Sequence, residues 1–192
     1  MTETPSRLLR AIAAALLLAG PAQAGGLQTL TLEGRARTPD GERGAQLSVE
    51  CQPGSGGSLL VKLVVPGAYP AKQHFDFEAF EGPEPAAGNA KLTVLTVSGS
   101  HGRHELRTDT GGWYSAEVEG AFVFATNQYD GFRKDLADLL GAAAQGESTF
   151  TWTQESYADN KLKVEAGFAI DAPTATRIHD TMAGCVAGTR NR

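Results

Sequence analysis

Lys161-Leu162-Lys163-Val164-Glu165-Ala166-Gly167-Phe168-Ala169-Ile170-Asp171-Ala172-Pro173 is the stretch on which the fold turns. Leu162, Val164, Ala166, Phe168 and Ile170 alternate with Lys161, Lys163 and Glu165, the period of a strand with one face buried and one in water. Asp171 then offers an N-cap oxygen, and Pro173 presets a first-turn dihedral. A helix follows, with Ala175, Ile178, Met182 and Cys185 recurring at three- and four-residue steps along one stripe. A one-sided strand running into a one-sided helix predicts a sheet whose apolar face is covered by helix.

The same alternation extends outward along the chain. Leu30 and Leu32 mark a first strand, and Thr38-Pro39-Asp40-Gly41 is a turn, with proline presetting one dihedral and glycine accepting positive φ. A strand from Ala45 to Cys51 completes a hairpin. Ser58 to Val65 is apolar on both faces and reads as central in the sheet. His74 to Phe80 reads as a strand with Phe75 and Phe77 on one face. Further strands are expected at Ala90–Ser98, His104–Thr108, Trp113–Val118, Phe122–Ala125 and Thr149–Thr153, with a break at Thr110-Gly111-Gly112. Between the last two, Phe132, Leu136, Leu139 and Leu140 change to helical spacing, with Asn127 or Asp130 as cap and Gly141 as stop. Roughly nine strands and two short helices predict an α+β, mostly β domain, an antiparallel β-sandwich or open barrel with the helices packed on it.

Cys51 continues the buried alternation of its strand, and Cys185 ends the buried stripe of the last helix. Both sulfurs therefore face one core, which predicts a disulfide between them.

The first 24 residues read as an export signal. Arg7 and Arg10 flank an apolar run of about 12 residues, Leu8 to Ala19, short of the ~20 needed to cross a bilayer as a helix. Gly20-Pro21 breaks the run, and Ala22-Gln23-Ala24 offers small residues to a peptidase. The expectation is a periplasmic or secreted protein starting at Gly25, with no membrane anchor after cleavage. The domain would span residues 25–185 and a disordered tail 186–192. Removing 24 of 192 residues leaves 168, with 21 acids and 15 bases, net about −6. An acidic chain without a basic run argues against nucleic acid, whose phosphates need lysine and arginine.

Catalytic signatures are sparse. No serine has glycines two residues before and after it, as a nucleophile elbow requires. Gly54-Ser55-Gly56-Gly57 lacks the following Lys-Ser/Thr of a phosphate loop. His101-Gly102-Arg103-His104-Glu105 sets two imidazoles near a carboxylate, making His101 and His104 weak metal candidates, to which His74 and Asp76 would have to converge. Asp76, Glu78, Glu117 and Glu119, placed on strands, could form a carboxylate pair for glycan cleavage. No cofactor is indicated.

Asp76 to Glu84 combines acids with prolines, which limit the loop's freedom and reduce the ordering cost of an interface. Trp113-Tyr114 sends two rings to opposite faces, one into the core and one outward as a stacking platform for a sugar or a partner side chain. The residues assigned to a partner surface are Asp76, Glu78, Phe80, Glu81, Glu84 and Tyr114. The expected function is a non-enzymatic binding or accessory protein, of inhibitor or immunity type, recognising a protein partner in the envelope or outside the cell. A carrier of an apolar small molecule and a metal-dependent or glycan-active enzyme are the alternatives.

Overall fold

The computed structural model describes residues 26–53, 57–126 and 133–189, the last three as backbone only. The export signal and its cleavage site, the caps Asn127 and Asp130, Phe132 and the centre of the Pro53–Gly57 loop lie outside the described residues.

Nine antiparallel strands form one curled half-barrel sheet. They are β1 (Gln28–Thr38), β2 (Gly41–Gln52), β3 (Ser58–Val65), β4 (Thr93–Gly99), β5 (Gly102–Thr108), β6 (Thr110–Tyr114), β7 (Phe122–Thr126), β8 (Ser148–Glu155) and β9 (Lys163–Ile170). Three helices accompany them: a single turn α1 (Ala68–Ala71), then α2 (Lys134–Ala143) and α3 (Ala172–Thr189). The open-barrel expectation holds. β1 and β2 pair along their length from Gln28↔Cys51 to Thr38↔Gly41, and Gly41 takes the positive φ of 132° that the turn demands.

The strand order, β5-β4-β8-β9-β1-β2-β3-β7-β6, explains the curl. A flat sheet would set its two edge strands roughly 38 Å apart at about 4.8 Å per strand. Yet the edges β5 and β6 are consecutive in sequence, with only Asp109 between them, and two residues of chain reach about 7 Å. The sheet must bend until one end of each edge meets the other. Buried side chains fasten that corner: the Thr93 and Thr110 hydroxyl oxygens lie 2.6 Å apart, and both face Gln154 Oε1, at 2.6 and 3.1 Å.

One face of the sheet carries the core. Val164, Ala166, Phe168 and Ile170 are buried on β9, and Phe150 and Trp152 on β8, while Thr149, Thr151 and Thr153 face outward. The stripe Ala175, Ile178, Met182 and Cys185 of α3 is buried throughout. Asp171 Oδ1 accepts the Thr174 N–H at 2.9 Å as the expected N-cap. Cys51 and Cys185 are joined, with Cα atoms 5.8 Å apart.

Several expectations need correction, the first being that Leu162 shares the buried face of β9: it precedes the strand and is exposed. Residues 74–80 are not a strand: Phe77–Phe80 is a 3₁₀ turn. Phe75, Phe77 and Phe80 are all buried there against Phe122 and Phe124, a spacing that a strand cannot bring to one side. Gly111 and Gly112 do not break the chain but lie within β6. A Cβ at Gly112 would sit 2.3 Å from the Phe122 ring, so glycine lets β6 close on β7. Gly141 does not end α2, which continues through buried Ala142 and Ala143; that burial outweighs the ~1 kcal/mol a helical glycine costs. Finally, α3 runs beyond Val186 to Thr189.

Candidate functional site

The chain between β3 and β4 folds over the β6 edge. Glu81 makes a parallel bridge with Gly112, and the Gly82 N–H donates to the Gly112 carbonyl at 3.4 Å. On the other side, the Tyr69 N–H of α1 donates to the Gly120 carbonyl at 3.0 Å. These contacts bring Tyr69 against Tyr114, ring centroids 5.7 Å apart and edge-on. Tyr114 also packs edge-on against Phe122 at 5.1 Å, and its hydroxyl is buried with no hydrogen-bond partner among the described residues. Burial, with the charges of Glu78 and Glu81 nearby, pushes the Tyr114 phenol above its usual pKa.

Of the residues assigned to a partner surface, the structure thus gathers Glu78, Glu81 and Tyr114. Glu84 is exposed in the following loop. Asp76 has a structural job, its Oδ2 accepting the Ala158 N–H at 2.8 Å and tethering the β8–β9 loop. Phe80 is wholly buried, stacked on Phe75 and edge-on to Phe124, so its ring is packed in the core and not presented to solvent. Tyr69, 55% exposed, belongs to the surface. Its sequence signal is weak, because a lone tyrosine before a proline has no pattern to place it.

The two rings of Trp113-Tyr114 do point to opposite faces, and Trp113 is the outward one, 39% exposed. It lines a groove of about 380 Å³ on the bare face of the sheet with Val64, Val118, Gln46, Glu50 and Lys62 among its walls. Lys62 Nζ lies 5.8 Å from the Trp113 ring and 2.7 Å from Glu50 Oε1. Gln46 Nε2 donates to Glu33 Oε1 at 3.0 Å.

A second, charged groove of about 460 Å³ crosses β4, β5, β8 and β9. Among the described residues, all of its charges but Glu165 pair with one another: Arg107 with Glu155 at 3.2 Å, Lys163 with Glu155 at 3.5 Å, and Arg103 with Glu105 at 3.0 Å. The Arg107 hydrogen bond, reinforced by both cations, holds the Glu155 carboxyl below its ordinary range. His104 alternates with Arg103 and Glu105 along β5, so its imidazole leaves the strand on the face opposite Glu105. His101 is exposed on the β4–β5 turn. No three His, Cys, Asp or Glu side chains among the described residues form a group able to hold a metal ion. Glu117 and Glu119 also move from their expected place: they sit in the turn between β6 and β7, where Ser115 Oγ accepts the Glu117 and Val118 N–H groups at 3.1 and 3.0 Å.

The interior of the curl, where a carried apolar ligand would sit, is filled by phenylalanines, with the Phe122 and Phe124 rings 4.8 Å apart. The buried disulfide suits an oxidising compartment, and no helix among the described residues is long and apolar enough to cross a membrane. Comparison with known protein families, with characterised proteins and with solved structures finds no match to this chain.

Proposed function

We propose that this chain is an exported, non-enzymatic binding protein that recognises a basic segment of a protein partner in the envelope or outside the cell. The observation that carries the reading is the exposed Tyr69 ring, packed on Tyr114 beside Glu78 and Glu81. An aromatic centre with a carboxylate rim suits lysine or arginine, which gain cation–π and ion-pair contacts together. Lys72 already illustrates the first, its Nζ lying 4.5 Å from the Tyr69 ring centroid. The segment bearing Glu78 and Glu81 is anchored by backbone hydrogen bonds and by the Phe77 and Phe80 rings, so little ordering is needed on binding.

The test is quantitative capture from envelope extract by the wild-type protein, by E78K/E81K and by H101A/H104A. A partner held by wild type and by the histidine variant, lost by the charge reversal and released by raised salt, supports the reading. Loss with H101A/H104A and retention with E78K/E81K overturns it in favour of the histidine turn.

A further inference from the structure

We propose that the Trp113 groove on the bare face of the sheet is a binding site for a neutral saccharide. The site borders the Glu78–Glu81 surface at Tyr114 but uses neither carboxylate and does not rest on that reading.

Trp113 is unusually placed for its residue type. The chain has two tryptophans; Trp152 is wholly buried, whereas Trp113 keeps 39% of its surface in solvent. Its backbone is held in the β6–β7 ladder. Gly112 lets β6 approach β7 closely, and Trp113 pairs with Val123 in the ladder. Val64 and Val118 extend the apolar ground beside the indole. Polar groups on β2 and β3 form the opposite wall. The groove, about 380 Å³, falls in the range of small-molecule sites.

The charges select the ligand class. Lys62 is neutralised by Glu50 at 2.7 Å, Gln46 is engaged by Glu33, and Glu117 lines the groove without an ion pair among the described residues. An anion would be opposed by Glu117 and would have to draw Lys62 away from Glu50, and a wholly apolar ligand would strand these groups without water. A sugar ring does neither. Its C–H face covers the indole, and its hydroxyls both donate and accept, so they can join a paired ammonium and carboxylate without separating them. Residues on strands hold these groups in place before binding, which lowers the ordering cost.

The test uses intrinsic fluorescence, in which Trp113 is the solvent-facing reporter and Trp152 the buried reference. Chitotetraose, cellotetraose and maltotetraose are titrated into the full mature protein. At least one should give a saturable change in the high-micromolar to millimolar range. Isothermal titration should show W113A at least tenfold weaker and Q46A severalfold weaker, both with unchanged far-UV circular dichroism. E78K/E81K should bind the sugar as wild type does, so failure of the partner surface leaves this site untouched. Raising NaCl from 0.1 to 0.5 M should change the affinity less than twofold. The proposal is overturned by silence with all three sugars, by binding that W113A retains, or by binding that salt abolishes.

Discussion

Removing the disulfide by C51A/C185A should lower stability by several kcal/mol while leaving the folded structure in place. Cys51 sits on β2 and Cys185 near the end of α3, 134 residues apart and both buried. Closing a loop of that length restricts the unfolded chain by about 5 kcal/mol in the loop-entropy treatment. In the folded state α3 has other holds: Ala175, Ile178 and Met182 are buried, and the helix packs against β1, β2, β3, β9 and α2. The loss should therefore arise from the unfolded chain. With a urea slope of about 2 kcal/mol/M, the midpoint should fall by about 2.5 M in circular dichroism melts without reductant. Wild type treated with dithiothreitol should overlay the double variant. The slope should steepen slightly, because an uncrosslinked unfolded chain exposes more surface. A midpoint shift under about 0.3 M would refute the loop-closure reasoning. So would loss of the near-UV signal before any urea is added, since that would make the bridge the fastening of α3 itself.

Three further outcomes follow from the packing. G112A forces a methyl to within 2.3 Å of the Phe122 ring and should cost about 1–3 kcal/mol, whereas G141A, with nothing within 4 Å of the new Cβ, should stabilise α2 by up to about 1 kcal/mol; urea melts of both should move in opposite directions. F80A should cost roughly 3–5 kcal/mol and weaken partner capture only in proportion to the unfolded fraction, so capture lost while thermal melting is unchanged would return Phe80 to the interface. The depressed Glu155 carboxyl contributes stability above its unfolded pKa of about 4.3, and that contribution disappears as pH falls through the lower folded value. R107M should be about 0.5–1 kcal/mol less stable at pH 7, and the gap should narrow in melts near pH 3 to what the pH-independent Arg107 bond to the Lys91 carbonyl contributes; parallel curves would exclude the Arg107–Glu155 pair as the cause.

The legible parts of this fold are those where a local pattern and the tertiary structure ask for the same thing. β9 and α3 are such a case: alternation, cap, stripe and cysteine all require one covered face, and the disulfide follows because both sulfurs must lie under it. Residues 74–80 are the opposite case. Phe75 and Phe77 satisfy a strand's period, but Phe80 falls out of phase with them, and only the rings of Phe122 and Phe124 decide that all three turn inward. Gly111-Gly112 misleads for a related reason. Glycine weakens a strand in general, and the close approach of Phe122 that requires it here comes from a neighbour ten residues on. Alternation correctly separates Trp113 from Tyr114, but it is symmetric; which ring faces solvent depends on which side of β6 the helices and the 3₁₀ turn occupy.

Topology also accounts for where the candidate surfaces lie. Because Asp109 alone joins the two edge strands, they meet at the Thr93–Thr110–Gln154 corner and diverge from it, without pairing with each other in the described ladders. An open seam exposes backbone groups that invite another strand, and the two sides handle that hazard differently. β5 carries Arg103, Glu105 and Arg107, charges that oppose edge-to-edge pairing. β6 is only five residues long and is instead capped by Glu81-Gly82, which lays the acidic segment along it. The same cap that protects the edge sets Glu78 and Glu81 beside the Tyr69–Tyr114 pair, and the glycine that lets β6 close on β7 fixes Trp113 on the outer face. A single requirement, closing a nine-stranded curl at one corner, thus leaves the β6 side as the place where aromatic rings, carboxylates and a rigid backbone coincide.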